Sequence, residues 1–120
     1  PLSRRRAMLA VLLADDFVER CYSEERGRAE DVLAWRASLA AASPALALIF
    51  QLAAMEPEGA RLVIEAVAVQ TEDRAALNTP DYMVSVYNHG TVQRVLVAAG
   101  EARHDVHAVL AEAVGVLKAL

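Results

Sequence analysis

Histidines are the side chains of this sequence best suited to metal binding. His104 and His107 lie three residues apart, with Asp105 between them. On a helix, this spacing places both imidazoles on one face, where they can share a metal ion. A metal site needs at least one more ligand, and none is recognisable elsewhere in the sequence. We therefore predict no metal and no cofactor, and we expect this pair to lie on a solvated helix face.

Acid–base or nucleophilic catalysis has two further candidates. His89 follows Asn88 in a short polar segment, and imidazole titrates near neutral pH. No orienting carboxylate or nucleophile is identifiable beside it. Cys21, the single cysteine, falls in an apolar stripe and is expected to be a buried small hydrophobe. Because the sequence also lacks a phosphate-binding glycine loop and a nucleophile elbow, we do not favour an enzyme.

The elements that would position these side chains centre on residues 80–100. Two apolar, β-branched runs, residues 82–87 and 92–97, flank Asn88-His89-Gly90-Thr91. Such a pattern predicts a β-hairpin, and we expect Gly90 to have a positive φ at the turn. Residues 60–70 (ARLVIEAVAVQ) have two mostly apolar faces, which favours a third strand over the alternative of a helix.

Apolar residues at helical spacing predict helices over residues 3–23, 28–42, 45–55 and 101–120. Ser43-Pro44 is a typical helix start, with a capping hydroxyl before a proline at the first helical position. The third helix is apolar on nearly all sides, which is typical of a central position. The apolar stripe of the closing helix is expected to cover the sheet.

These elements predict an α+β fold in one domain, residues 1–120. A helical N-terminal half of three helices (1–55) precedes a strand, a β-hairpin and a C-terminal amphipathic helix (60–120). The strand and the hairpin are expected to form a small antiparallel sheet. A sheet of this size has edges to protect, and pairing with a second copy is one way to protect them.

Composition limits the possible partners. The chain has 120 residues, a formal net charge of −4 and 56 % apolar residues. This acidity argues against nucleic acid and anionic membranes as partners, although Arg4-Arg5-Arg6 allows the alternative of a small basic contact patch. No apolar run is long enough to span a bilayer. A lone cysteine excludes an intramolecular disulfide, so we expect a reducing, cytoplasmic location.

The leading functional hypothesis is a non-catalytic protein-interaction domain, such as an adaptor, chaperone-like or regulatory module, that forms a homodimer. It rests on the surplus of aliphatic surface in a small domain. The candidate interface consists of Leu9, Leu12, Leu13, Phe17 and Trp35, where Trp35 has the alternative of a core position.

Two alternatives belong to other classes of protein. One is an enzyme or small-ligand-binding domain whose pocket lies between the sheet and the helices. Its candidate ligand contacts are Tyr82, Tyr87, His89 and Arg94. The other is a winged-helix DNA-binding domain with residues 43–55 as the recognition helix. That segment has almost no polar or basic side chain to contact bases or phosphates, which makes this the weaker alternative.

Overall fold

The computed structural model describes residues 3–24, 31–68 and 91–120. Within these ranges three helices come first, an antiparallel sheet follows and a helix closes the chain, so the predicted α+β class is confirmed. The elements are α1 (Arg4–Glu24), α2 (Val32–Ala42), α3 (Pro44–Ala54), β1 (Arg61–Ala68), β2 (Thr91–Ala99), β3 (Ala102–Asp105) and α4 (Val106–Leu117).

Local side-chain chemistry sets the helix ends. Asp31 caps α2 by accepting a 2.7 Å hydrogen bond from the Ala34 N–H, so this helix begins at residue 32 and not at 28 as predicted. Ser43 serves two helices. Its N–H donates to the Leu39 carbonyl at the end of α2, and its hydroxyl accepts from the Leu46 N–H at the start of α3. The predicted Ser-Pro start of the third helix is confirmed.

The sheet has the order β1-β2-β3 with antiparallel neighbours. In the β1–β2 register, Leu62 lies opposite Val97 and Val67 lies opposite Val92. The strand predicted over residues 60–70 is therefore confirmed for 61–68, while residues 69 and 70 lie outside the described residues. Glu65, opposite Arg94 in the register, accepts a 3.0 Å hydrogen bond from Arg103 Nε on β3.

The described hairpin is not the predicted one. β2 and β3 are joined by Gly100-Glu101, with Ala99 opposite Ala102, and Gly100 has a φ of +60°. A positive φ at the first central position is what a type II′ turn requires, and glycine adopts it without strain. Residues 82–87 and the predicted turn at Gly90 lie outside the described residues, whereas the predicted run 92–97 is confirmed within β2.

The closing helix is shorter than predicted. Ala102–Asp105 forms β3, and α4 begins at Val106 because the Asp105 carboxylate accepts from the Ala108 N–H at 3.0 Å. The expectation that its apolar stripe covers the sheet holds only in part, since α4 contacts β2 and β3 but packs mainly against α3 and α1. The buried residues of that stripe are Val106, Val109, Ala113 and Leu117.

α3 is at the centre of the core, as its sequence predicts. Ala45, Leu46, Ile49 and Leu52 are buried, and the helix contacts α1, α2, α4 and β1. From the sheet, Val95 and Val97 join the same core. The exposed side chains of α3 are Pro44, Gln51 and Ala54, none of which is basic. The structure thus gives the winged-helix alternative no support.

Candidate interaction surface

α1 presents an exposed apolar stripe, formed by Leu9, Leu12, Leu13 and Phe17. Their relative exposures are 57, 40, 61 and 44 %. The spacing of three and four residues places them on one side of the helix over successive turns. The opposite side, which includes Ala7, Val11 and Val18, is fully buried. The wide apolar surface of α1 is therefore divided between the core and the outside.

Arg36 of α2 fixes the rotation of α1. Its guanidinium makes ion pairs with Asp15 and with Glu19, the latter at 3.0 Å, and it stacks 4.1 Å from the centre of the Phe50 ring on α3. The side chains of Arg36 and Asp15 are only 17 and 26 % exposed. Because Asp15 and Glu19 face Arg36, the leucines of the exposed stripe point away from the core.

The charges along α1 are unevenly distributed. Arg5 and Arg6 are exposed in the first turn, ahead of the apolar stripe. Asp16 lies on the same side of the helix as the stripe and forms a 2.8 Å ion pair with Arg20, and the exposed Glu24 ends the helix. The exposed side is thus basic at its start, apolar in the middle and mixed to acidic at its end.

Trp35 does not belong to this surface, which corrects its inclusion in the candidate interface. It is 5 % exposed and packs against Tyr22 with ring centroids 5.6 Å apart. Its alternative assignment, a core residue between the first two helices, is confirmed. Cys21 is half-buried and packed against the core.

Of the predicted ligand contacts, Arg94 alone lies within the described residues. Arg94 is half-buried on β2, and its Nη1 lies 3.4 Å from the Gln93 carbonyl oxygen. Tyr82, Tyr87 and His89 lie outside the described residues.

The two histidines expected on one helix face lie on different elements. His104 is on β3, whereas His107 is in the first turn of α4, and both are exposed. Over residues 3–24, 31–68 and 91–120, no group of three or more His, Cys, Asp or Glu side chains is arranged to hold a metal ion.

An open groove lies between helices and sheet, where the small-ligand-binding alternative expects a pocket, but Arg94, the one predicted contact among the described residues, does not line it. It has a volume of about 530 Å³ and lies where the start of α1, the end of α3 and the start of β1 meet. The sequence signal nearest to it is the Arg4-Arg5-Arg6 run, since Arg4 and Arg5 line it. Its other lining residues are Met8, Leu52, Met55, Glu56, Pro57, Ala60, Arg61 and Leu62.

None of the described helices combines the length and the apolar character needed to cross a membrane. No protein-family model matches the chain, and no curated protein or solved structure is significantly similar to it. The functional argument therefore depends on the surface and the groove themselves.

Proposed function

We propose that this chain is a non-catalytic protein-interaction domain that pairs with a second copy through the apolar stripe of α1. The observation that supports this proposal is the exposure of Leu9, Leu12, Leu13 and Phe17 on one side of a helix. Single exposed apolar residues are common on protein surfaces and need no explanation, whereas a contiguous group marks a contact site. An adaptor or regulatory role in the cytoplasm is compatible with such a domain.

The stripe is self-complementary about its middle. Leu13 is the most exposed of the four residues and lies midway between Leu9 and Phe17. A twofold axis passing at Leu13 therefore places Leu9 of each chain opposite Phe17 of the other. A closed symmetric pair needs only this one patch.

The charges on α1 favour antiparallel pairing. In an antiparallel pair, the basic start of each helix approaches the half of the other that carries Asp16, Arg20 and Glu24, where the charge of Arg20 is already compensated by its ion pair with Asp16. In a parallel pair, the arginines at positions 5 and 6 would lie beside their own copies. Like charges placed together across an interface are unfavourable and select against that arrangement.

The strength of the pairing follows from the area available. Full burial of a large apolar side chain contributes about 1.5–3 kcal/mol, and these side chains are about half exposed, so a pair gains roughly 8 kcal/mol from both copies of the stripe. Association itself costs an estimated 4–15 kcal/mol. Even the lowest of these costs leaves a net gain of only about 4 kcal/mol, so we expect a weak dimer with a dissociation constant of about 1 mM.

Sedimentation equilibrium of the Leu13→Glu variant tests the proposal. The substitution removes two leucines from the axis and places two like charges there, so the dissociation constant should rise by about 100-fold or more. Circular dichroism should show an unchanged fold, because Leu13 is 61 % exposed. If this variant is unfolded, Leu9→Gln provides a milder version of the same test.

Leu33→Glu is the matched control, because Leu33 is 76 % exposed on α2 and lies outside the stripe. It should dimerise like the wild type. Equal weakening by both variants would mean that α1 is not the interface. A wild-type chain that remains monomeric at several millimolar would overturn self-association altogether.

A further inference from the structure

The groove between α1, α3 and β1 combines an apolar floor with a basic rim. Leu52 is buried, while Met8 and Leu62 are partly buried and packed against the core. Arg4, Arg5 and Arg61 line the groove from two different elements. Its volume of about 530 Å³ is within the usual range for small-molecule sites, about 300–1,000 Å³.

The three arginines of the groove are unpaired among the described residues, as is the neighbouring Arg6, whereas three arginines elsewhere are paired. Arg20, Arg36 and Arg103 each form an ion pair with a carboxylate. Arg4, Arg5 and Arg61, by contrast, have no ion-pair or hydrogen-bond partner for their guanidinium groups among the described residues. Glu56 is the one acid in the lining, so the groove carries an excess of two positive charges in a chain of net charge −4.

We propose that this groove binds a small amphiphilic anion, a monocarboxylate with an unbranched apolar chain of medium length. The guanidinium groups would hold the carboxylate, since their planar donors match its two oxygens. Met8, Leu52 and Leu62 would cover the chain. Two other classes of ligand fit less well. A purely polar anion would make no contact with the apolar floor, and an uncharged amphiphile would not form ion pairs with the arginines.

The apolar floor of this site is separate from the apolar stripe of the proposed dimer interface, since none of the four stripe residues lines the groove. Arg5 is shared, because it lines the groove and belongs to the basic start of α1. Arg61 and Met8 have no part in the proposed pairing, so substitutions there test ligand binding independently of self-association.

Isothermal titration calorimetry of the full chain with decanoate, below its micelle concentration, tests the proposal. We expect saturable binding of one decanoate per chain. Acetate, which has the head group without the chain, and decyltrimethylammonium, which has the chain with the opposite charge, should each bind about tenfold or more weakly. Equal binding of the anionic and cationic amphiphiles, or no binding of decanoate, would overturn the proposal.

Variants locate the site. Arg61→Gln should weaken decanoate binding by about fivefold, as expected for the loss of one partly solvated charge pair. Arg20→Gln makes the same change of charge outside the groove and should leave the affinity unchanged. Met8→Trp fills the floor and should abolish binding, with circular dichroism as the check on folding. Unchanged binding by Arg61→Gln, or equal losses with Arg20→Gln, would mean that decanoate binds elsewhere.

Discussion

Arg36 is the residue at which the three N-terminal helices are tied together. It extends from α2, pairs with Asp15 and Glu19 on α1 and lies over Phe50 on α3. Its side chain is 17 % exposed, so these interactions are less screened by water than the Arg20–Asp16 pair, whose side chains are 74 and 56 % exposed. The two arginines therefore offer a comparison between a partly buried and a solvated ion pair.

We predict that Arg36→Ala lowers the free energy of unfolding by about 1–2 kcal/mol, after allowance for the exposure of Glu19. Arg36→Lys should recover little of this loss, because an ammonium cannot reproduce the planar, multidentate contact with two carboxylates and a ring. Urea unfolding followed by circular dichroism measures both variants.

Arg20→Ala is the control for Arg36, and it should change the free energy of unfolding by about 0.5 kcal/mol or less. Equal losses at the two positions would show that Arg36 is no more than another surface charge.

At the scale of elements, two glycines show how backbone conformation decides the effect of the same substitution. Gly100 connects β2 and β3 with a φ of +60°, and Gly115 lies within α4. A Cβ added at either position would meet no atom within 4 Å. Steric crowding is thus absent at both positions. The effect of alanine then depends on the backbone conformation that each glycine adopts and on the conformational freedom that alanine removes from the unfolded chain.

We predict opposite signs for the two alanine variants in thermal unfolding. Gly100→Ala should destabilise by about 1 kcal/mol, because an L-residue is strained in the left-handed region. Gly115→Ala should stabilise by about 0.5–1 kcal/mol through higher helix propensity. Gly100→Asn should lose less than Gly100→Ala, since asparagine tolerates a positive φ. A stabilising Gly100→Ala would contradict the turn described for this hairpin.

The sequence predicts elements better than it predicts their relative placement. Ser43-Pro44 and the β-branched content of residues 60–70 identify α3 and β1 directly. β3 is missed because Glu-Ala-Arg are good helix formers, although Asp105 directly before Val106 is a recognisable cap that separates the strand from the helix. In β3, pairing with β2 outweighs the local preference of these residues for a helix.

The orientation of α1 and the groove are harder to predict, for physical reasons. Apolar residues cover most of the circumference of α1, so periodicity alone does not show that Ala7, Val11 and Val18 face inward. Small side chains allow close approach to neighbouring helices, and the larger leucines remain outside. The groove is assembled from residues far apart in the sequence, and no local pattern brings Arg61 next to Arg4.

At the scale of the whole molecule, the proposed pairing makes a geometric prediction that cysteine cross-linking can check. In a Cys21→Ala background, Leu13→Cys should form a disulfide-linked dimer on mild oxidation, because it lies at the proposed twofold axis. Arg20→Cys is about 10 Å further along the helix, so in an antiparallel pair its two copies are about 20 Å apart and should not cross-link. Efficient cross-linking at both positions would instead show parallel helices.

Asp105 has a consequence for how the molecule opens. It is the last residue of β3, paired with Leu96, and its carboxylate caps α4. β3 lies at one side of the described sheet, where a short strand would ordinarily fray without effect on the rest of the fold. Because one residue ends the strand and begins the helix, loss of β3 also releases the first turn of α4. Strand β3 and the first turn of α4 therefore share a single opening equilibrium, and hydrogen exchange of their protected amide protons should give a common free energy of opening.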